Sequence, residues 1–185
     1  NWRFRLWSYD YIKAFTSRIG IKFGKYYPEI ETAPLGLATV KEQQAKGVYT
    51  QSDGAVVFEG EPYGLHTRVF ISSQGLPTYE AKEVGLADIK KEKYKYDTSI
   101  TITANEQDAF FKVVEVAIGE VFPELKNKLK HLSHGLLKLS TGKMSSRDGS
   151  VISAENLINE VKEKTKGDKD IAIGAAYSGN VTFLK

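Results

Sequence analysis

Apolar positions in the first twenty residues fall at helical spacing. Leu6, Tyr9, Phe15 and Ile19 recur on one side and Gly20 stops the run, which predicts a helix over 1–20. Pro28 and Pro34 make 26–36 read as a loop, and 37–46 reads as a helix closed by Gly47. Short β-branched runs follow at 48–51, 55–59 and 68–73. Ser52-Asp53-Gly54, Gly60 and Ser73-Gln74-Gly75 separate them, so a small antiparallel meander is predicted.

Beyond Gly75 the rhythm changes. Residues 78–89 read as a helix with Thr78 at its cap, 98–103 as a strand, 107–121 as an amphipathic helix ended by Pro123, and 129–139 as a strand. The Lys-rich stretch 90–95 reads as a solvated loop. A polar, glycine-bearing loop covers 140–150, Ser153 caps a helix to about Lys164, and 171–184 reads as a final helix. Strands alternating with helices imply an α/β fold with a parallel sheet.

Composition narrows the classes. The chain has 185 residues, 41% hydrophobic and 26% charged, which suits a packed domain or a domain with a small insertion. No apolar run approaches the ~20 residues that span a bilayer, and the start lacks a signal-peptide pattern. The absence of cysteine excludes disulfides, thiolate metal sites and a cysteine nucleophile; it fits a cytoplasmic setting. A net charge of +3 permits a polyanionic partner without requiring one. The first residue is Asn1, so the chain reads as a fragment or a processed form.

The most informative segment is Thr141-Gly142-Lys143-Met144-Ser145-Ser146-Arg147-Asp148-Gly149. Two glycines bracket two cations and two hydroxyls, groups that can reach a triphosphate and neutralise it. The alternative is an exposed basic turn. A P-loop fails here, because Met144 follows the lysine and Leu137 stands where the first glycine belongs. The run resembles the K-M-S-K-S signature of class I aminoacyl-tRNA synthetases, in the K-M-S-S-R form of the arginine branch. That resemblance assigns Lys143 to the ATP phosphates and Met144 to anchoring the loop. Ser145, Ser146 and Arg147 would act beside them in catalysis. Ser146 departs from the class, which usually has its second lysine there.

A second constellation, Thr78-Tyr79-Glu80-Ala81-Lys82-Glu83, places a phenol and a carboxylate at i and i+4 of a helix, on one face. A carboxylate can take two parallel bonds from a guanidinium. An ordinary helix face, with a half-buried tyrosine and a solvated glutamate, is the competing reading. The segment resembles the T-Y-x-x-x-D pocket of arginyl-tRNA synthetases, with Glu83 in place of Asp. Asn105-Glu106-Gln107-Asp108, at a predicted strand end, resembles the family's Q-Q-D segment and assigns Gln107 to the substrate. Gln107 otherwise reads as a first-turn residue with Asn105 as the cap.

His131-Leu132-Ser133-His134-Gly135 looks like the class motif H-I-G-H but lies just before the lysine loop and has Ser133 at the required glycine. It better resembles the family's H-x-x-x-G-M-V segment. This puts the backbone of Gly135, Leu136 and Leu137 in the adenine pocket, with His131 nearby. No metal site is assigned, and His66 reads as a surface or strand residue.

The resemblance extends through Leu6-Trp7 to Phe23, Ser52-Asp53-Gly54-Ala55, Gly64 to Tyr79, and Ile173-Gly174-Ala175-Ala176-Tyr177, in the family's order. It implies the second half of a Rossmann-like class I sheet over 75–185. Residues 1–74 would be a connective region with the meander. It also implies arginine, ATP with Mg²⁺, and tRNA(Arg) as partners of an intact arginine–tRNA ligase. That enzyme would be a monomer, with no tightly bound cofactor and no membrane. The H-I-G-H half is not in the sequence, so the fragment alone is expected to be inactive. Rival readings are a non-catalytic arginine- or RNA-binding module, or another class I specificity such as cysteine.

Overall fold

A computed structural model describes residues 2–135 and 153–164. Contacts divide the chain into two compact units, one of 1–25 with 137–185 and the other of 26–136. In the first, α1 (Trp2–Arg18) and α5 (Ala154–Lys164) lie where the spacing predicts them. Ser153 Oγ accepts the backbone N–H of Asn156 at 3.1 Å, the cap bond expected of it. Arg18 donates to Asn159 Oδ1 at 2.8 Å.

The second unit begins with α2 (Glu29–Ala45), where a loop was expected for 26–36. Pro34 lies inside this helix, at a cost of about 3 kcal/mol in a regular helix interior. Tertiary packing offsets it. Gly36 on α2 and Gly85 on α3 (Tyr79–Lys93) bring the two backbones into direct contact. Helix propensity alone does not register that gain.

Between α2 and α3 lies the predicted meander: β1 (Thr50–Ser52), β2 (Ala55–Phe58) and β3 (Arg68–Ile71), antiparallel in that order. Asp53 and Gly54 both have positive φ (48° and 78°), as a two-residue hairpin turn requires, with Ser52 opposite Ala55. The pairing of β2 with β3 shifts between Val56 and Val57, which oppose Ile71 and Val69 and leave Phe70 as the extra residue. Phe70 is fully buried, with ring centroids 4.9 Å from Tyr49 and 6.2 Å from Phe58. Phe70→Ala should therefore cost about 3–5 kcal/mol, read as a fall in unfolding free energy in denaturant titration.

The remaining elements are β4 (Ser99–Ala104), α4 (Asp108–Val121) and β5 (Leu129–His134). Strands β4 and β5 are parallel, with Ser99 opposite Leu129 and Ala104 opposite His134. The crossover through α4 buries Phe110, Phe111, Val113, Val114, Ala117, Ile118 and Val121, a helical stripe, in the same core as Val40, Phe70 and Val84. This is the predicted α/β arrangement: a parallel pair with a small antiparallel sheet. The contact boundaries fall at 25/26 and 136/137, and α2 packs on α3.

Two local expectations are corrected. The stretch 90–95 is not a solvated loop: α3 continues to Lys93, Lys90 donates to the buried Ser99 Oγ, and Lys91 pairs with Asp88 at 3.3 Å and Glu124 at 3.5 Å. These partners come from distant sequence, so local composition did not indicate them. Asn105 does not cap α4 either. It opens a 3-10 turn, Asn105–Gln107, and no side-chain cap bond forms there.

Candidate substrate site

The strand ends and helix starts of the second unit gather most of the candidate residues. Thr78 precedes α3, and its hydroxyl donates backward to Val69 O (2.8 Å) and Phe70 O (3.0 Å) instead of capping the helix. This fixes the first turn of α3 against β3. Arg68 on β3 donates to Glu80 on that turn at 3.1 Å and lies 5.1 Å over the Phe110 ring on the first turn of α4. The starts of α3 and α4 are thereby neighbours. Sequence reasoning missed Arg68; a lone arginine in a meander strand carries no local signal.

The three residues expected to hold arginine differ in setting. Glu83 lines a cavity between α3, β4 and α4, with Lys90, Tyr96, Ser99, Thr101 and Glu115 among its neighbours there. Burial pushes its carboxyl above the ordinary value, and Lys90 opposes that shift. Glu83 is half-buried on this face. Tyr79 is 67% exposed, with Lys82 Nζ 4.5 Å above its ring. Gln107 is exposed at the turn between β4 and α4. Among the described residues no hydrogen bond joins any two of the three.

Within the parallel pair, His131 on β5 is held by three contacts. Its Nε2 is hydrogen-bonded to Thr103 Oγ1 at 2.8 Å, its Nδ1 lies 3.6 Å from Asp108 Oδ1, and its ring stacks on Phe111 at 4.4 Å. The imidazole faces the helix layer, so its contacts tie the start of α4 to both strands. Asp108 directly follows Gln107, which sets that amide at the strand-end edge where open α/β sheets bind ligands. Gly135 follows β5 and is exposed. Leu136, Leu137 and the loop residues Lys143, Met144, Ser145, Ser146 and Arg147 lie outside the described residues, as do the predicted final helix and the end of the strand expected to reach 139.

Residues 33–171 match the family model of tRNA synthetases class I (R), catalytic domain. The chain belongs to that family. Among its similar relatives are the arginine–tRNA ligases of Amoebophilus asiaticus, 34% identical over 85% of this chain and 26% of that protein, and of Treponema denticola, 32% identical over 92% and 32%. The chain thus spans about a quarter to a third of the length of these relatives. The arginyl-tRNA synthetase structure from Plasmodium falciparum superposes with a TM-score of 0.70 over 94% of this chain and 29% of that one, at 18% identity. The Thermus thermophilus arginyl-tRNA synthetase gives 0.60 over 89% and 36%, at 17%. These likenesses establish a class I synthetase fold for the α/β unit. No described helix is long and apolar enough to cross a membrane.

Proposed function

We propose that the chain supplies the arginine-gripping part and the nucleotide-closing loop of an arginine–tRNA ligase. The longer protein would activate arginine with ATP and Mg²⁺ and pass it to tRNA(Arg). The observation that carries this reading is the half-buried carboxylate of Glu83, which lines a cavity between α3, β4 and α4 in a chain of the class I (R) family. A carboxylate withdrawn from water is stabilised by a cation that can bond both of its oxygens, and a guanidinium does so.

In this reading Glu83 takes the guanidinium, while Tyr79 and Gln107 close in from the adjoining turns when substrate binds. Catalytic hydrogen bonds are often long before a substrate arrives. His131 supports the strand-end edge, and the backbone of Gly135, Leu136 and Leu137 receives the adenine. Lys143, Ser145, Ser146 and Arg147 neutralise the triphosphate, with Met144 as the loop's anchor. No side-chain nucleophile is required, since positioning and charge stabilisation carry such a reaction. The intact ligase would act in the cytoplasm as a monomer.

Calorimetric titration of the chain with arginine, lysine, ornithine and citrulline tests this. Arginine alone should bind; the others leave polar groups unpaired, a mismatch that can reach ~10⁴–10⁵ in discrimination. Equal affinity for arginine and citrulline would remove the reading.

A further inference from the structure

Arg68 on β3 reaches two elements at once. Its Nη1 donates to Glu80 Oε1 at 3.1 Å, on the first turn of α3. Its guanidinium carbon lies 5.1 Å from the centroid of the Phe110 ring, on the first turn of α4, within reach of a cation–π contact. Glu80 is 8% exposed, and Arg68 is its one ion-pair partner among the described residues. The Arg68 Nε is buried as well, yet no hydrogen-bond partner meets it. An arginine turned to the surface keeps such a donor in water, so this placement costs a bond. A cost of that kind is expected where geometry serves a site.

The other polar tethers at these turns each serve one side. The Thr78 hydroxyl holds α3 to β3 through Val69 O and Phe70 O. Asp108 holds α4 to β5 through His131. Lys82 runs to Glu29 on α2 at 2.7 Å. Arg68 is the charged side chain that spans from one helix start to the other. Tyr79 directly precedes Glu80, and Gln107 lies three residues before Phe110. What Arg68 holds therefore bears on how far the phenol stands from the amide.

We propose that Arg68 is a positioning residue of the arginine pocket, which fixes the spacing of Tyr79 and Gln107 by clamping the first turns of α3 and α4 together. This rests on the arginine reading given above. Contact with the substrate is left to Tyr79, Glu83 and Gln107. The clamp needs a planar, forked cation. A guanidinium can aim one nitrogen at a carboxylate while its carbon lies over a ring, whereas an ammonium is a point charge. Small movements are enough to matter, since a misplacement of about 1 Å in a positioned site can cost on the order of 10²-fold.

Arg68→Met alone strands the buried Glu80 charge and is destabilised on that ground. Combining it with Glu80→Gln removes both charges and separates stability from position. In calorimetry the double variant should melt near the parent yet bind arginine about tenfold or more weakly; affinity equal to the parent's overturns the proposal. Arg68→Lys keeps a charge beside Glu80 and should also bind arginine weakly. Full rescue by lysine overturns the clamp and leaves Arg68 a counter-charge. A second measurement needs no ligand. The chain has no cysteine, so spin labels on Tyr79→Cys and Gln107→Cys report the spacing of the two turns by dipolar spectroscopy. Their distance distribution should shift or broaden in the double variant, and an unchanged one overturns the proposal. A spacing that depends on Arg68 in a parent chain that binds no arginine supports the clamp and refutes the arginine reading. If the double variant does not fold, Arg68→Lys carries both measurements.

Discussion

Glu83→Gln should abolish arginine binding and at the same time stabilise the chain at neutral pH. Truncating one partner of a buried charge pair costs about 2–5 kcal/mol, roughly 30-fold to several thousand-fold in affinity. Glutamine keeps the shape and removes the charge, so the loss reports on electrostatics and not on packing. Stability moves the other way. The folded carboxyl holds its proton more tightly than the unfolded one, whose ordinary value is 4.5, even with Lys90 opposing. Above that value the native chain binds more protons than the unfolded chain, so this group's contribution to stability falls as pH rises through the folded pKa. Glutamine does not titrate. The variant should therefore melt higher than the parent at pH 7, and the gap should close below about pH 4.5. Unchanged arginine affinity would undo the site assignment. Equal melting at pH 7 would mean that the Glu83 carboxyl is not withdrawn from water as described.

Gly85→Ala should destabilise the protein, although the substitution ordinarily favours a helix by about 1 kcal/mol. A Cβ on Gly85 would lie 2.1 Å from Thr32 O and 2.7 Å from Gly36 N, and one on Gly36 would lie 1.8 Å from Ala81 O. These neighbours are backbone and cannot rotate away, so the helices must part. Overpacking of this kind costs about 1–3 kcal/mol, occasionally more, and here it must also exceed the propensity gain. Gly36→Ala should behave likewise, and the double variant should lose less than the sum, since one separation relieves both overlaps. Chemical denaturation of the three variants checks this. A stabilised Gly85→Ala would show that α2 and α3 do not touch as described.

Local pattern made much of the fold legible. The Asp53-Gly54 hairpin, the strands on either side of it, the stripe of α4 and the Ser153 cap all follow from adjacent residues. The start of α2 did not, because Pro34 speaks against a helix and only the distant Gly85 contact argues for one. The same division runs through the site. Tyr79, Glu83 and Gln107 were read as residues of a motif, whereas the place of Glu83 at the cavity between α3, β4 and α4, the bond from Lys90 to Ser99 and the bridge from Arg68 to two helix starts depend on which elements meet in space. Lys90 shows this most clearly. In a run of lysines it reads as solvent-facing, yet it reaches inward because β4 returns beside α3 and presents Ser99.

A crystal structure of the chain with L-arginine bound tests the central claim most directly. The account predicts guanidinium nitrogens about 2.7–2.9 Å from both Glu83 carboxylate oxygens, with the Tyr79 hydroxyl and Gln107 amide turned toward the ligand. Arginine bound elsewhere, with no bond to the Glu83 carboxylate, would contradict it.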